Sequence, residues 1–163
     1  MRTVPSRAPE RQSARRGFTL IELLCALSVL AILAVAAAPS FAALIASQRV
    51  RSASLDLASA LVLARSEAVK RNAMVSLAPA GAAWTAGWTV SAGAETVRSF
   101  GPYGGLTITP SSAGGLVLGN DGRLTGAAMT FEFAPSGETA ATTRVCVQVS
   151  ETGRIASTSG ACT

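Results

Sequence analysis

Histidine is absent from this sequence, and cysteine occurs only three times in its 163 residues. The absence of histidine removes the commonest general base, the usual nucleophilic triads and most zinc sites. Cys25, Cys146 and Cys162 are too few and too scattered for a zinc site built from thiolates alone. No nucleophile–base pair, metal cluster or phosphate-binding loop can be assembled from the other residues. The composition therefore predicts a protein that is not an enzyme and that uses no metal and no cofactor.

Charged side chains are also scarce, at 14% of the residues against roughly 25% in ordinary soluble domains, whereas 49% of the residues are hydrophobic. This imbalance predicts a membrane segment. The net charge of +5 is concentrated at the amino terminus, where five arginines and one glutamate give residues 1–17 a charge of +4. The rest of the chain carries only +1. Because such a body has no net electrostatic attraction for DNA, nucleic acid is not an expected partner.

The longest uncharged run extends from residue 23 to residue 48. As a helix, these 26 residues would reach about 39 Å at ~1.5 Å per residue, which exceeds the roughly 30 Å hydrocarbon core of a bilayer. The arginines before the run predict, by the positive-inside rule, one span with its amino terminus in the cytoplasm. We therefore expect residues 1–17 to be a cytoplasmic leader and residues 18–45 to be the transmembrane half of a helix.

An amphipathic stretch follows the uncharged run. Apolar residues recur there at three-, four- or seven-residue steps, at Val50, Leu57, Leu61, Ala64 and Ala68. The two stretches together predict one long helix over residues 18–72, apolar all round in its first half and one-sided in its second. Pro39 lies inside this helix and removes one backbone hydrogen bond, so we expect a kink there.

The remainder of the chain consists of short β-prone runs separated by glycine, proline, serine and asparagine. The candidate strands are residues 74–78, 87–91, 96–100, 106–109, 116–118, 129–133, 144–150 and 154–156. An antiparallel sheet packed on the second half of the helix is the simplest way to cover both apolar faces. We therefore expect an α+β fold whose globular domain, residues 46–163, combines helix at 46–72 with sheet at 73–163. The aromatic residues predicted for its core are Trp84, Trp88, Phe100, Phe131 and Phe133.

The most informative stretch is residues 15–24, Arg-Arg-Gly-Phe-Thr-Leu-Ile-Glu-Leu-Leu. An ordinary secretory signal has a shorter apolar core, and the nearest Ala-x-Ala cleavage site here, residues 36–38, is followed by Pro39. A lipoprotein signal ending at Cys25 would need an aliphatic residue where Glu22 stands. Both alternatives fit the sequence poorly.

The same stretch closely resembles the signal of type IV prepilins and type II secretion pseudopilins. The resemblance implies a pilin-like fold and a prepilin peptidase that cuts between Gly17 and Phe18 and then methylates the new amine of Phe18. It also implies a subunit of the bacterial inner membrane with a periplasmic carboxy-terminal domain. An assembly platform in that membrane would add the subunit to a filament of other pilin subunits. A plain membrane anchor is the alternative interpretation of the helix.

Glu22 is energetically unfavourable where it stands, because placing a carboxylate near the start of a bilayer helix costs free energy unless the carboxylate is paired. One interpretation is that Glu22 lies at the interface and stays hydrated. The other, consistent with the role that pilin-like families assign to this glutamate, is that it pairs with the amine of Phe18 in a neighbouring subunit during assembly.

Further landmarks resemble the GspH/FimT family of minor pilins and pseudopilins. They are residues 64–72 leading into 75–77, Gly87-Trp88, residues 133–137 and Gly153-Arg154. The resemblance implies a structural subunit at the tip or initiation complex of a type IV pilus or a type II secretion pseudopilus. Some FimT-like minor pilins bind DNA through a Gly-Arg-x-Arg element. Here Gly153-Arg154-Ile155-Ala156 keeps only the first arginine, so DNA binding, with Arg154 as the contact, is the alternative function.

The two carboxy-terminal cysteines lie in the part of the chain that would face the periplasm, where disulfides persist. A bridge between Cys146 and Cys162 would tether the carboxy-terminal tail to a strand, whereas two unpaired thiols are the alternative. Cys25 lies in the apolar run and is predicted to be a small buried apolar residue.

Overall fold

The computed structural model describes residues 18–137 and 143–163. The chain divides between Pro39 and Ser40 into two compact units. The predicted leader, residues 1–17, lies outside the described residues, as does Gly17 at the predicted cleavage site.

One helix, α1, extends over Leu20–Arg71 and is continuous through Pro39. At its start, the hydroxyl of Thr19 accepts a hydrogen bond of 3.3 Å from the backbone N–H of Glu22, which is the geometry of an amino-terminal cap. At its end, Asn72 has a positive φ of 49°, and the N–H of Ala73 donates to the carbonyl of Ala68, as in a left-handed helix cap. The single long helix predicted over residues 18–72 is therefore confirmed, while the kink at Pro39 stays a prediction.

Eight strands follow α1. They are β1 (Val75–Pro79), β2 (Trp88–Ala92), β3 (Glu95–Phe100), β4 (Leu106–Pro110), β5 (Leu116–Leu118), β6 (Met129–Pro135), β7 (Val145–Val149) and β8 (Ile155–Ser159). Each predicted run overlaps one of them. A single turn of 3₁₀ helix, Trp84–Ala86, lies between β1 and β2.

The strands form two four-stranded antiparallel sheets, with the orders β3-β2-β1-β5 and β4-β6-β7-β8. The α+β, pilin-like architecture is confirmed, but there are two sheets where the sequence predicted one. The chain crosses between the sheets three times, because β4 lies in the second sheet, β5 returns to pair with β1 in the first, and β6 pairs with β4 in the second. Strand periodicity reveals which residues face inward, but it does not reveal which strands are partners.

One hydrophobic core joins the second half of α1 to both sheets. All five residues of the predicted amphipathic face are fully buried: Val50, Leu57, Leu61, Ala64 and Ala68. Alternate residues of the strands face them, as in β6, where Met129, Phe131 and Phe133 are buried. The apolar face of the helix and the alternate apolar residues of the strands thus pack together in one core.

The aromatic residues form the centre of this core, as predicted. Trp84, Trp88, Phe131 and Phe133 are buried, and Phe100 is half-buried beside them. Trp84 meets Phe131 edge-on with ring centroids 4.7 Å apart. Trp88 stacks on Tyr103, which is half-buried against the core, with ring centroids 4.6 Å apart.

Two leucines of α1 provide a matched test of this packing. Leu61→Ala removes a fully buried side chain and should lower the free energy of unfolding by ~2–5 kcal/mol, whereas Leu55→Ala removes one that is 65% exposed and should change it by less than about 0.5 kcal/mol. The measurement is denaturant unfolding of the full chain in detergent, followed by tryptophan fluorescence. Equal losses in the two variants would contradict the assignment of the buried face.

Candidate functional site

The first half of α1 is bare, in the sense that no other part of the described chain covers its apolar side chains. Every large apolar side chain from Phe18 to Ile45 is at least half exposed, from 51% at Ile45 to 83% at Phe18. The most apolar 18-residue window of the helix has a mean hydropathy of 2.6 and none of it is buried. Among the described residues, α1 is the one helix long and apolar enough to cross a membrane by length and composition. Such a surface requires lipid or other apolar helices around it.

Glu22 lies in the first turn of this bare helix, beside the exposed Phe18. A carboxylate there interacts favourably with the partial positive charge of the helix amino terminus, and Thr19-x-x-Glu22 is the pattern of a capping box. Within residues 18–137 and 143–163, no basic side chain lies within 4.0 Å of its carboxylate. The capping role of the Thr19 hydroxyl was not predicted from the sequence, although the Thr-x-x-Glu spacing signals it. The processing role of Phe18 and the assembly role of Glu22 stay predictions.

The carboxy-terminal end of α1 is held by an ion-pair cluster around Arg71. Its Nε donates to Glu67 at 2.7 Å, and its Nη1 and Nη2 donate to the two oxygens of Glu95 at 2.6 and 3.1 Å. The hydrogen bonds from Arg71 lower the pKa of Glu67 and the pKa of Glu95. Glu67 and Arg71 are four residues apart in one helix, a spacing that favours an ion pair, whereas nothing in the local sequence indicates Glu95 at the start of β3 as a partner.

Two further contacts fix the second half of α1 to the loops of the body. The hydroxyl of Tyr103 donates to Asp56 at 3.0 Å, and burial, reinforced by this carboxylate, raises the pKa of Tyr103. The guanidinium of Arg65 donates to the carbonyl oxygen of Gly153 at 3.1 Å. These contacts join residues far apart in the sequence, and none was predicted.

Arg154 lies in the turn that leads into β8. Its side chain is exposed, while its backbone N–H and carbonyl bond to the hydroxyl and the N–H of Ser150. Gly153 before it has a φ of +74°, and an added Cβ would collide with the carbonyl oxygen of Gly122. The glycine of the Gly-Arg pair is thus required by the turn itself, whatever Arg154 binds.

Cys146 and Cys162 form a disulfide, as predicted, with their Cα atoms 5.1 Å apart. The carboxylate of Glu132 on β6 reinforces it, because one oxygen accepts the N–H of Cys162 at 3.1 Å and the other accepts Nη1 of Arg144 at 2.6 Å. The carboxy-terminal tail is therefore attached to β7 covalently and to β6 by hydrogen bonding. Cys25 is a free, exposed thiol on the first half of α1.

The described part of the chain offers no group of three or more histidine, cysteine, aspartate or glutamate residues that could hold a metal ion. The chemistry available is that of a bare helix with one acidic residue at its start and a disulfide-tethered body. This combination defines a class: subunits of the type IV pilin and pseudopilin kind.

Comparisons with known families identify the subunit more closely. The family described as type II transport protein GspH matches residues 53–153, and the prokaryotic N-terminal methylation motif matches residues 12–38. Because the first match covers more than half of the chain, the chain belongs to the GspH family of type IV pilins and pseudopilins. The methylation motif and the apolar helix fit a pilin anchored in the inner membrane.

Two crystal structures of the type IV minor pilin FimU from Pseudomonas aeruginosa strain PAO1 have a similar fold. The structure in space group P21 has a TM-score of 0.59 and 25% sequence identity, and the match covers 67% of this chain and 87% of that one. The structure in space group P65 has a TM-score of 0.57 and 26% identity, with coverages of 66% and 91%. A comparison with curated proteins finds no match.

The disulfide allows a direct test with Cys25 as its internal control. Replacing both Cys146 and Cys162 by serine should lower the free energy of unfolding by ~3 kcal/mol, because the closed loop of 16 residues no longer restricts the unfolded chain. Cys25→Ser should leave it unchanged. Unfolding curves and a count of free thiols by mass spectrometry measure both. A wild-type protein with three reactive thiols would show that the bridge is not formed.

Proposed function

We propose that this chain is a minor subunit of a type IV pilus or a type II secretion pseudopilus, placed at the tip or in the initiation complex. A prepilin peptidase cuts it between Gly17 and Phe18 and methylates Phe18. It spans the inner membrane once, with its amino terminus in the cytoplasm and residues 46–163 in the periplasm. The assembly platform then moves it into the filament, where other pilin subunits surround its helix.

The observation that carries this proposal is the continuity of α1. A segment with no charge from residue 23 to residue 48 is joined, without a break in the helix, to the residues that form the core of the body. The body cannot be separated from the apolar segment by cleavage after Gly17, because that bond precedes the helix. A processed chain therefore keeps a helix that is stable in lipid or among similar helices.

The two machines share these features, and each is supported by one comparison. The GspH family description names type II transport, whereas the similar crystal structures are of a type IV minor pilin. Minor rather than major status is supported by that same likeness. The assembly role of Glu22 is common to both machines in our proposal and can be tested without choosing between them.

Two substitutions at Glu22 distinguish a role of its charge in subunit pairing from a role of its side chain in helix capping. Glu22→Gln keeps a side chain that can serve in a capping box but removes the charge, and Glu22→Ala removes both. We expect cleavage and membrane insertion to be unchanged in both variants and incorporation into filaments to fall at least about tenfold, since each loses an ion pair in an apolar setting. The measurement is the amount of subunit in sheared filaments relative to the amount in membranes.

Thr19→Ala is the matched control, because it removes the capping hydroxyl and leaves the carboxylate in place. It should incorporate better than either Glu22 variant. Normal incorporation of Glu22→Gln would show that the charge of Glu22 has no role in assembly.

DNA binding at the Arg154 turn is the second candidate function. The observation that favours it is that three arginines lie on adjoining segments of the body. Arg154 and Arg123 are exposed on two turns, and the hydrogen bond from Leu124 N–H to the Glu151 carbonyl joins those turns. Arg65 of α1 donates to the carbonyl of Gly153, the residue before Arg154. Asp121 and Glu151 on the same turns oppose this positive charge.

A salt titration separates the two functions. We expect the full chain in detergent to show no steep loss of DNA affinity as salt is raised, and Arg154→Ala to behave like the control Arg98→Ala on β3. If instead affinity fell steeply with salt, and Arg154→Ala alone reduced the slope by about one, Arg154 would be a phosphate contact and DNA binding would become the leading function.

A further inference from the structure

A pocket of about 540 Å³ lies in the body beside the start of the second half of α1. Arg49 and Ser52 of α1 form one wall, and residues 102–106, which lead into β4, form the other. Its volume is in the range of small-molecule sites, about 300–1,000 Å³. None of the functions proposed above uses this pocket.

Several polar groups of the pocket are hydrogen-bond donors without an acceptor in the described chain. The guanidinium of Arg49 forms no ion pair there. Five serine hydroxyls of α1 donate to the carbonyl three residues earlier, but the hydroxyl of Ser52 does not. The backbone N–H groups of Gly104 and Gly105 have no acceptor in the described residues either. These four groups are available to a ligand.

The turn before β4 holds its backbone close to the guanidinium. Gly105 has a φ of +74°, and a Cβ added there would lie 2.8 Å from Nη1 of Arg49. The missing side chain thus permits the close approach. The carbonyl of Gly105 already accepts the N–H of Ser136, and no acidic side chain lines the pocket. The pocket therefore presents one positive charge and several donors, which is the chemistry of an anion site.

The position of Arg49 in the chain indicates which anion is at hand. Arg49 is the first charged residue after the uncharged run of residues 23–48. That run reaches about 39 Å as a helix, which is about 9 Å more than the hydrocarbon core of a bilayer. The headgroup layers extend about 5–8 Å beyond the core on each side. A chain whose uncharged run spans the membrane therefore brings residue 49 to the depth of the lipid phosphates.

We propose that this pocket binds the phosphodiester of an anionic phospholipid headgroup in the periplasmic leaflet of the inner membrane. The guanidinium of Arg49 pairs with the phosphate, and the hydroxyl of Ser52 and the N–H groups of Gly104 and Gly105 donate to it. A headgroup such as phosphatidylglycerol is favoured over one with an amine, because no carboxylate lines the pocket to pair with the amine. The proposal rests on the membrane span of the proposed function and adds the lipid that the body contacts beside that span.

The surface beside the pocket is compatible with contact to a bilayer. The N–H of Tyr103 donates to the carbonyl of Thr85, which joins the pocket loop to the segment between β1 and β2. Residues 80–87 and 99–105 contain no charged side chain, so this surface can approach the headgroups without burying an unpaired charge. Asp56, whose carboxylate accepts the Tyr103 hydroxyl, lies further along α1 from the uncharged run than the pocket does.

Two arginine variants test the pocket in the full chain. Phosphatidylglycerol is titrated into the chain in detergent, and native mass spectrometry counts the bound lipids. Arg49→Gln should weaken binding of the first lipid at least about tenfold, because it removes a charge-assisted hydrogen bond. Arg51→Gln is the matched control, since it removes the same charge from an exposed side chain outside the pocket, and should weaken binding less than about twofold. Equal losses would show that the lipid responds to net charge alone and would overturn the proposal.

Two serine variants test the same placement without a change of charge. Ser52→Ala should weaken binding of the first lipid about threefold, because it removes a neutral donor to the phosphate. Ser59→Ala is the control and should bind as wild type does, because that hydroxyl already donates to the carbonyl of Asp56 and does not line the pocket. Equal binding by the two variants would contradict the placement of the headgroup against Ser52 and with it the proposed site.

The source of the phosphate is tested by competition. We expect phosphatidylcholine and excess inorganic phosphate to leave the first phosphatidylglycerol bound. Displacement by inorganic phosphate would make the pocket a site for a free anion, and equal binding of phosphatidylcholine would remove the preference for an anionic lipid; either result overturns the proposal.

Insertion into vesicles, measured by resistance to alkaline extraction, separates this proposal from the proposed function. A chain that inserts but binds no phosphatidylglycerol at Arg49 would leave the membrane span intact and the pocket unsupported. A chain that does not insert would contradict both.

Discussion

The constraint on which the structure depends is that one continuous helix belongs to two apolar environments. Its second half supplies the residues around which both sheets pack, so it cannot leave the body without unfolding it. Its first half exposes every large apolar side chain and cannot remain in water. The chain is therefore stable only where lipid or other apolar helices cover that first half. A subunit that passes from a membrane into a filament exchanges one such environment for the other.

The contacts of the body keep that helix in place once it is covered. Arg71 joins the end of α1 to β3 through Glu95, and Tyr103 joins its middle to a loop through Asp56. The disulfide and Glu132 attach the carboxy-terminal tail to β7 and β6, the two inner strands of the second sheet. A body fastened at several points is suited to remain folded outside the cytoplasm, where disulfides persist and chaperones of the cytoplasm are absent.

Local signals in the sequence account for what could be predicted. The uncharged run, the buried row from Val50 to Ala68 and the eight strands each follow from spacing within a few residues, and the structure has all of them. The division into two sheets depends on strand pairs such as β1 with β5, which are distant in the sequence. Arg71 and Glu95 are 24 positions apart, and Asp56 and Tyr103 are 47 apart, so no local pattern encodes these contacts. The cap that Thr19 provides at the start of α1 is different, because the local spacing Thr19-x-x-Glu22 is enough to predict it.

The central claim is that the chain keeps its apolar helix after processing and begins at Phe18. Intact mass spectrometry of the chain recovered from the membrane fraction tests this most directly. The account predicts a mass that begins at Phe18, carries one added methyl group and includes the disulfide between Cys146 and Cys162. A chain that still begins at Met1, or one that has lost residues 18–45, would contradict it.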